Sequence, residues 1–422
     1  MATYLIYVFI DGRRIEVLHS KKKINNYPKI PTKSHLINYS NEELLIATDF
    51  LNLPTWSRGY ISCKSSNSEV TCSDIVQAYR TIKAWEYNIS NTNTEDKKYF
   101  VLKHPIKGLG NKMNTDIIGL LLCIMSNRSI IVLSNYPSKH GIVHDHTYDY
   151  PDCVITKTDE SLLGKYKLVR TDIGWTCFNI SSFLNTNDQY IGFNDLIYSS
   201  MAYANFYTSE YCRNYFGLHC SYFLGNYFSR FPSTIMMERK RILSAIPHNC
   251  SLLGVHARFH RSGQYYSKGI NYTVSTLFSD IDKRMNEIPN THIIIASDNN
   301  RIIDSFVRRY GRKVHFSKAI RKADQDHVGA MLDMSLLISC NNIIGTFRSS
   351  FSYIVSSRFG NRCWWIEKES PYTFPSQNSQ SLGISVLYHH RDHCDWRIND
   401  RIRYCGSFHL DTLWYFYEYL LF

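Results

Sequence analysis

From about residue 250 onward, short apolar runs alternate regularly with segments in which apolar residues recur every three or four positions. The short runs are typical of buried strands and the longer segments of amphipathic helices. Strands that alternate with helices at this spacing predict a parallel, doubly wound α/β sheet. The predicted strands are Ser251–Val255, Thr291–Ala296, Lys313–Phe316, Asn342–Gly345 and Cys363–Ile366, and the predicted helices lie within Val274–Asn286, Asn300–Tyr310, Val328–Ser339 and Phe351–Arg358.

A similar unit precedes this series. Tyr99–Leu102 predicts a strand, Thr115–Met125 an apolar helix, and Ser129–Leu133 the strand that closes a βαβ unit. Gly108-Leu-Gly-Asn111 predicts a tight loop in between, where glycine lets the backbone approach a ligand near a helix N-terminus that attracts anions. The alternative for this loop is a plain helix-entry turn with Asn111 as the N-cap.

The first 98 residues are polar and rich in turn formers, so the pattern assigns little there. Tyr4–Ile10 is apolar but short, lacks preceding basic residues and runs into Asp11, which predicts a strand and turn rather than a signal peptide. No stretch reaches the roughly 20 apolar residues that span a bilayer. Two locations stay open: the cytoplasm, or the Golgi or ER lumen as a domain whose anchor is absent from this chain.

The chain has 422 residues, and domains average about 150 residues, which favours two domains and a cleft between them. We predict an N-terminal Rossmann-like domain over residues 1–245, a C-terminal Rossmann-like domain over 246–370, and an extension over 371–422 that packs back on the core. Charged residues make up 20% of the chain and apolar residues 44%, which is typical of a globular protein.

The formal net charge of +12 favours anionic partners. The basic residues are scattered, and the small clusters at Lys21–Lys23 and Met237–Arg241 lack the interleaved aromatic residues of a nucleic-acid groove. A small anionic substrate therefore explains the charge better than nucleic acid does.

Polar side chains follow several predicted strands where each one ends. Arg258 follows the strand Ser251–Val255, Asp298 follows the next one, and Thr346, Ser349 and Ser350 follow the strand that begins at Asn342. Carboxyl ends of parallel strands meet at one sheet edge, which is where open α/β sheets bind ligands. Arginine offers a fork of donors suited to a diphosphate. For single residues, a core histidine at His256 and helix N-caps at Asp298 and at Ser349–Ser350 are the structural alternatives.

Cysteine and histidine spacing indicates no recognised metal module. Twelve cysteines show no regular framework; local disulfides and buried free thiols both fit them. The plausible local disulfides are Cys63–Cys72 and Cys394–Cys405. Two histidine-rich segments also occur. The first contains His140, His144, Asp145, His146 and Asp149, and the second contains His389, His390, His393 and Cys394.

Five motifs in this order resemble those of the GDP-fucose-dependent fucosyltransferases of the α1,2, α1,6 and protein O-fucosyltransferase type. The resemblance covers roughly residues 100–366 and is strongest after residue 250. The motifs are Gly108-Leu-Gly-Asn111, Gly254-Val-His-Ala-Arg258, Ala296-Ser-Asp298, Leu332-Asp-Met-Ser-Leu-Leu337 and Gly345-Thr-Phe-Arg-Ser-Ser-Phe351.

The resemblance implies a GT-B fold, with two facing Rossmann-like domains, the donor held mainly by the second and the acceptor entering from the first. It further implies inverting transfer of L-fucose from GDP-fucose to a glycan or glycoprotein hydroxyl, with no metal cofactor. By this resemblance, Arg258 would bind the β-phosphate and assist GDP departure, and His256 would contact the donor. Asp298 would recognise guanine or ribose, and Gly110 and Asn111 would contact the donor sugar from the other domain. The phosphate and fucose pocket would contain Thr346, Ser349, Ser350 and Phe351.

The chain departs from the family pattern just beyond Arg258. Relatives often continue with another arginine and an acidic residue, whereas Phe259-His260-Arg261 follows here, which leaves Arg261 to take the second basic role. The base for the acceptor hydroxyl stays unassigned; the candidates by chemistry are Asp116, His260, Asp145 and Asp149. The alternative functions are transfer from another nucleotide sugar on the same scaffold and glycan binding without catalysis.

Overall fold

The computed structural model describes most of the chain up to residue 366. The described residues are 5–10, 13–18, 38–53, 70–103, 108–133, 136–138, 141–143, 149–157, 167–169, 180, 184–193, 206–216, 220–259, 273–317, 327–346, 349–359 and 363–366. No helix within these ranges is long and apolar enough to cross a membrane.

The chain begins with a β-hairpin. Strand β1 (Leu5–Ile10) pairs antiparallel with β2 (Arg13–Leu18), from Leu5 opposite Leu18 to Ile10 opposite Arg13. This confirms the predicted strand over Leu5–Ile10, whereas Tyr4 and the predicted turn at Asp11 and Gly12 lie outside the described residues.

Two capped helices occupy the polar segment that the pattern left unassigned. Helix α1 (Asn41–Phe50) is capped by the Ser40 side chain, and α2 (Cys72–Asn91) by a reciprocal pair of hydrogen bonds between Thr71 and Asp74. The signal for α2 is the Thr-x-x-Asp spacing ahead of its apolar positions, which is close to the capping box of many helices.

The first sheet has five parallel strands. Strand β3 (Tyr99–Lys103), α3 (Leu109–Ser126) and β4 (Ser129–Leu133) form the predicted βαβ unit. The sheet order is β7-β4-β3-β9-β8, while β5 and β6 form a separate hairpin. The remaining bounds are β5 Tyr136–Ser138, β6 Gly141–Val143, β7 Val154–Lys157, β8 Lys167–Val169 and β9 Tyr190–Phe193.

The helices that follow the first sheet lead the chain to the second sheet. They are α4 (Phe206–Phe216), α5 (Cys220–Phe228) and α6 (Ser233–Ser244). A disulfide between Cys212 and Cys220 joins α4 to α5, with Cα atoms 5.5 Å apart. This pair was not among the disulfides predicted from the sequence. Cys72 is disulfide-bonded as well, whereas Cys63, Cys394 and Cys405 lie outside the described residues.

The second sheet also has five parallel strands, in the order β12-β11-β10-β13-β14. The predicted alternation of strands and helices is confirmed, and the bounds differ from those predicted by at most about two residues. The strands are β10 Ser251–His256, β11 Thr291–Ala296, β12 Val314–His315, β13 Asn342–Thr346 and β14 Cys363–Ile366, and the helices are α7 Val274–Glu287, α8 Asn300–Tyr310, α9 His327–Leu337 and α10 Ser350–Phe359. The domain limits at residues 245 and 370 stay a prediction.

Helix α10 belongs to the second sheet by connectivity but packs against α3 and α5 of the first part of the chain. Near its C-terminus, Arg358 is buried and its Nε donates to Asn226 Oδ1 at 3.2 Å. The guanidinium also lies 4.3 Å from the centre of the Phe231 ring. The buried cation is thus held partly by an amide and an aromatic face, and it ties α10 to α5.

We expect Arg358→Ala to lower the free energy of unfolding by about 2–4 kcal/mol, because it empties a buried volume and removes the side-chain donor to Asn226 Oδ1. Urea denaturation measures this loss. The matched control is Arg308→Ala on the exposed face of α8, where a change of at most about 0.5 kcal/mol is expected. Equal losses for the two variants would contradict the role given to Arg358.

Two histidines pair at the edge of the second sheet. His292 Nδ1 lies 2.9 Å from His315 Nε2, and the two rings stack with centroids 5.2 Å apart. Burial and the nearby Lys313 charge lower the pKa of His292, and burial together with His292 lowers that of His315. The folded state therefore favours neutral imidazoles at this place.

Because the folded pKa values lie below the ordinary value, the unfolded chain takes up protons first as pH falls below about 6.5. We expect the free energy of unfolding to decrease as the pH falls from about 7.5 to about 5.5, and to decrease less in His315→Gln. Urea denaturation across this pH range tests the prediction. His248→Gln, at an exposed position, is the control and should retain the wild-type pH dependence.

Candidate active site at the edge of the second sheet

Arg258 lies just beyond the carboxyl end of β10, next to Asp298 beyond β11. Its Nε is 3.6 Å from Asp298 Oδ2, and the two side chains are 35% and 59% exposed. The structure thus brings together the two groups that the strand ends predicted. An ion pair this exposed contributes little to stability. Both groups remain accessible to a ligand at the sheet edge.

Asp298 does not cap the helix that follows it. The N-cap of α8 is Asn299, whose side chain accepts a hydrogen bond from the Arg301 amide at 3.1 Å. Asn299, and not Asp298, therefore caps α8, so capping does not explain the presence of Asp298.

Thr346 fixes the backbone that carries Arg258. Its hydroxyl donates to the His256 carbonyl at 2.7 Å and accepts from the Arg258 amide at 3.0 Å. Thr346 is fully buried at the end of β13, the neighbour of β10. One hydroxyl therefore bonds two backbone groups at the end of β10, and it fixes where the Arg258 side chain starts.

His256 is buried between two residues of α10. Its Nδ1 lies 2.5 Å from Ser352 Oγ, and its ring lies 4.8 Å from the Phe351 ring, centre to centre. Ser352 Oγ also accepts a hydrogen bond from the Thr346 amide at 2.9 Å. Ser352 was not among the predicted site residues, since its contact with His256 depends on β10 and β13 being neighbours.

The loop predicted at Gly108–Asn111 is wrong, because Gly110 and Asn111 lie in a helix. Helix α3 begins at Leu109 with Gly108 as its N-cap, so Gly110 and Asn111 belong to the first helical turn and Asn111 is not the cap. A Cβ on Gly110 would lie 2.5 Å from the Phe351 nitrogen and 2.6 Å from the Ser350 carbonyl carbon. The glycine is thus required for the close approach of two backbones, those of α3 and α10, and not for a turn of the chain.

The first turns of α3 and α10 therefore meet at this point. Each helix N-terminus carries a partial positive charge and backbone N–H groups without intrahelical acceptors. Two such ends in contact attract an anion more strongly than either would alone. His256 packs on Phe351 in the first turn of α10, so the meeting point adjoins the strand end that leads to Arg258.

Two buried polar atoms at this meeting point have no hydrogen-bond partner among the described residues. They are Asn111 Oδ1 in the first turn of α3 and Ser349 Oγ immediately before α10. Because Ser349 Oγ has no such partner, the Ser349 hydroxyl does not form the N-cap hydrogen bond that was its structural alternative. Buried polar groups in proteins are nearly always paired, and two exceptions at one place are typical of a binding site.

The other predicted groups divide into three cases. Asp116 is fully buried within α3, whereas Asp149 is exposed and its backbone pairs with Arg230. His260, Arg261 and Asp145 lie outside the described residues, as do the two histidine-rich segments. No group of three or more histidine, cysteine or acidic side chains in the described part of the chain could hold a metal ion.

No protein-family model and no curated protein sequence matches this chain. Among solved structures, the chain is similar to an arginine-to-lysine mutant of Arabidopsis thaliana FUT1 in complex with GDP. The identity is 12%, the TM-score is 0.52, and the match covers 77% of this chain and 88% of FUT1.

Two further structures have lower TM-scores. The Bradyrhizobium fucosyltransferase NodZ is 13% identical, with a TM-score of 0.44, over 65% of this chain and 97% of NodZ. The apo form of POFUT1 is 12% identical, with a TM-score of 0.39, over 65% of this chain and 99% of POFUT1. At these identities the similarity concerns the fold, and the FUT1 comparison carries it. The chain has the GT-B fold that fucosyltransferase structures share.

Proposed function

We propose that this protein is an inverting glycosyltransferase that transfers L-fucose from GDP-fucose to a hydroxyl group of a glycan or a glycoprotein. The observation that carries the proposal is the contact between the first turns of α3 and α10, with the unpartnered Asn111 and Ser349 oxygens, beside the strand end that presents Arg258. The GT-B fold supports it, since the FUT1 structure of the same fold contains GDP.

A nucleotide diphosphate fits the charge and donors of this site. The backbone N–H groups of α3 and α10 supply donors for phosphate oxygens, and the Ser349 hydroxyl supplies another. Arg258 adds a permanent positive charge with a planar fork of donors. The sequence charge of +12 is in keeping with an anionic substrate.

The reaction places its largest charge change on this diphosphate. Cleavage of the bond between the sugar and the phosphate builds negative charge on the leaving GDP and positive charge on the sugar ring. A fixed guanidinium stabilises the leaving group more in the transition state than in the ground state, which accelerates the reaction. Thr346 contributes by holding the Arg258 backbone in a single position.

Asp298 is suited to the nucleoside end of the donor. Its carboxylate is more exposed than the Arg258 guanidinium beside it and can accept from a ribose hydroxyl or from the N–H groups of guanine. We propose this role for Asp298, and a donor-binding role for Ser350, Phe351 and Arg261 alongside Gly110, Asn111, His256, Thr346 and Ser349.

Arg258→Lys tests the proposed mechanism. Lysine keeps the positive charge but loses the bidentate fork, so we expect kcat for fucosyl transfer to fall roughly 100- to 1000-fold. Initial rates with GDP-fucose and an acceptor array measure the change. Arg301→Lys, on the exposed face of α8, is the matched control and should keep wild-type turnover. Wild-type activity in Arg258→Lys would refute the role of Arg258 in GDP departure.

The nucleotide preference tests the identity of the donor. GDP that binds only the folded state should raise the melting temperature, and at about 100 times Kd it adds about 2.7 kcal/mol to the free energy of unfolding. Thermal denaturation with GDP, UDP and ADP at equal concentrations measures this preference, with Ser349→Ala expected to reduce the GDP effect. A larger shift with UDP or ADP would replace GDP-fucose by another nucleotide sugar.

A further inference from the structure

We infer that Ser352 fixes the His256 imidazole as the tautomer that carries its proton on Nε2, so that Ser352 is a positioning residue and His256 a hydrogen-bond donor. The first observation is the 2.5 Å separation of His256 Nδ1 and Ser352 Oγ. At this distance one of the two atoms must donate and the other accept, because two acceptors would repel each other.

The direction follows from the hydrogen bonds of Ser352. Its Oγ already accepts from the Thr346 amide, which can only donate, at 2.9 Å. Ser352 is buried, so its own hydroxyl hydrogen needs an acceptor within the protein. Among the described residues, the other hydrogen-bond partner of Ser352 Oγ is His256 Nδ1, so Nδ1 accepts this hydrogen.

The opposite direction leaves a donor unsatisfied. If Nδ1 carried the proton, Ser352 Oγ would accept from both His256 and Thr346, and its hydroxyl hydrogen would be left without an acceptor among the described residues. An unsatisfied buried donor costs about 1–3 kcal/mol. This cost favours the tautomer with the proton on Nε2 by roughly 5- to 150-fold, since 1.4 kcal/mol corresponds to about a tenfold population ratio.

The tautomer decides what His256 can do in transfer, and this consequence rests on the proposed function. An Nε2–H group can donate to a phosphate oxygen or to a sugar hydroxyl of the donor. It cannot remove a proton from the acceptor through Nε2, because that nitrogen already carries one. In this tautomer His256 is suited to donate a hydrogen bond to the sugar donor and is not suited to act as the acceptor base.

Nitrogen-15 NMR of histidine-labelled protein without nucleotide, at about pH 8, reads the tautomer directly, because protonated and unprotonated imidazole nitrogens differ widely in chemical shift. The His256 signals are identified by their loss in His256→Gln. We expect an unprotonated Nδ1 and a protonated Nε2. A proton on Nδ1 would overturn the inference. The readout needs no enzymatic activity, so it stays decisive even if no fucosyl transfer is found and the proposed function fails.

Ser352→Ala tests whether Ser352 sets the tautomer. We expect the population with the proton on Nδ1 to rise severalfold, and turnover with GDP-fucose to fall roughly 10- to 100-fold, the range found when outer partners of metal-binding histidines are removed. Ser339→Ala is the matched control, because it removes another buried hydroxyl of the same domain, one that donates to the Ser335 carbonyl at 2.7 Å. An unchanged tautomer in Ser352→Ala, or an equal change in Ser339→Ala, would contradict the role of Ser352. If Ser352→Ala does not fold, the wild-type spectrum alone decides the tautomer.

Discussion

The approach of α3 to α10 at Gly110 is the constraint on which the rest of the site depends. Only a residue without a Cβ lets the first turn of α3 reach the backbone of Ser350 and Phe351. That contact brings the N-terminus of a helix from the first sheet against that of a helix from the second. The positive ends of two helices are thereby held together by packing.

Much of the second sheet could be predicted from the sequence, because its strands are buried on both faces and read as short apolar runs. The strand-end position of Arg258, Asp298 and Thr346 followed from the same reasoning, since parallel strands share one carboxyl edge. Neither inference needed a contact between residues distant in the chain. The roles of these residues in catalysis stay proposals.

Other features depend on contacts that no local pattern contains. Gly110 was predicted to approach a ligand from a loop, but it lies in a helix and approaches α10, a segment some 240 positions later in the chain. The hydrogen bond between His256 and Ser352 requires β10 and β13 to be neighbours, although β11 follows β10 in sequence. The buried Arg358 could not be predicted either, because arginine is normally exposed and its partners lie on α5 and beyond.

Helix α10 connects the contact at Gly110 with the buried side chain of Arg358. Its first turn contacts Gly110, and its other end is held by Arg358 against Asn226 and Phe231. With ten residues the helix is about 15 Å long, so a tilt of about 5° at one end displaces the other by roughly 1.3 Å. A displacement of about 1 Å at a catalytic group can cost a hundredfold in rate. Packing at Arg358, at the far end of α10, therefore controls how accurately the first turns of α3 and α10 are aligned.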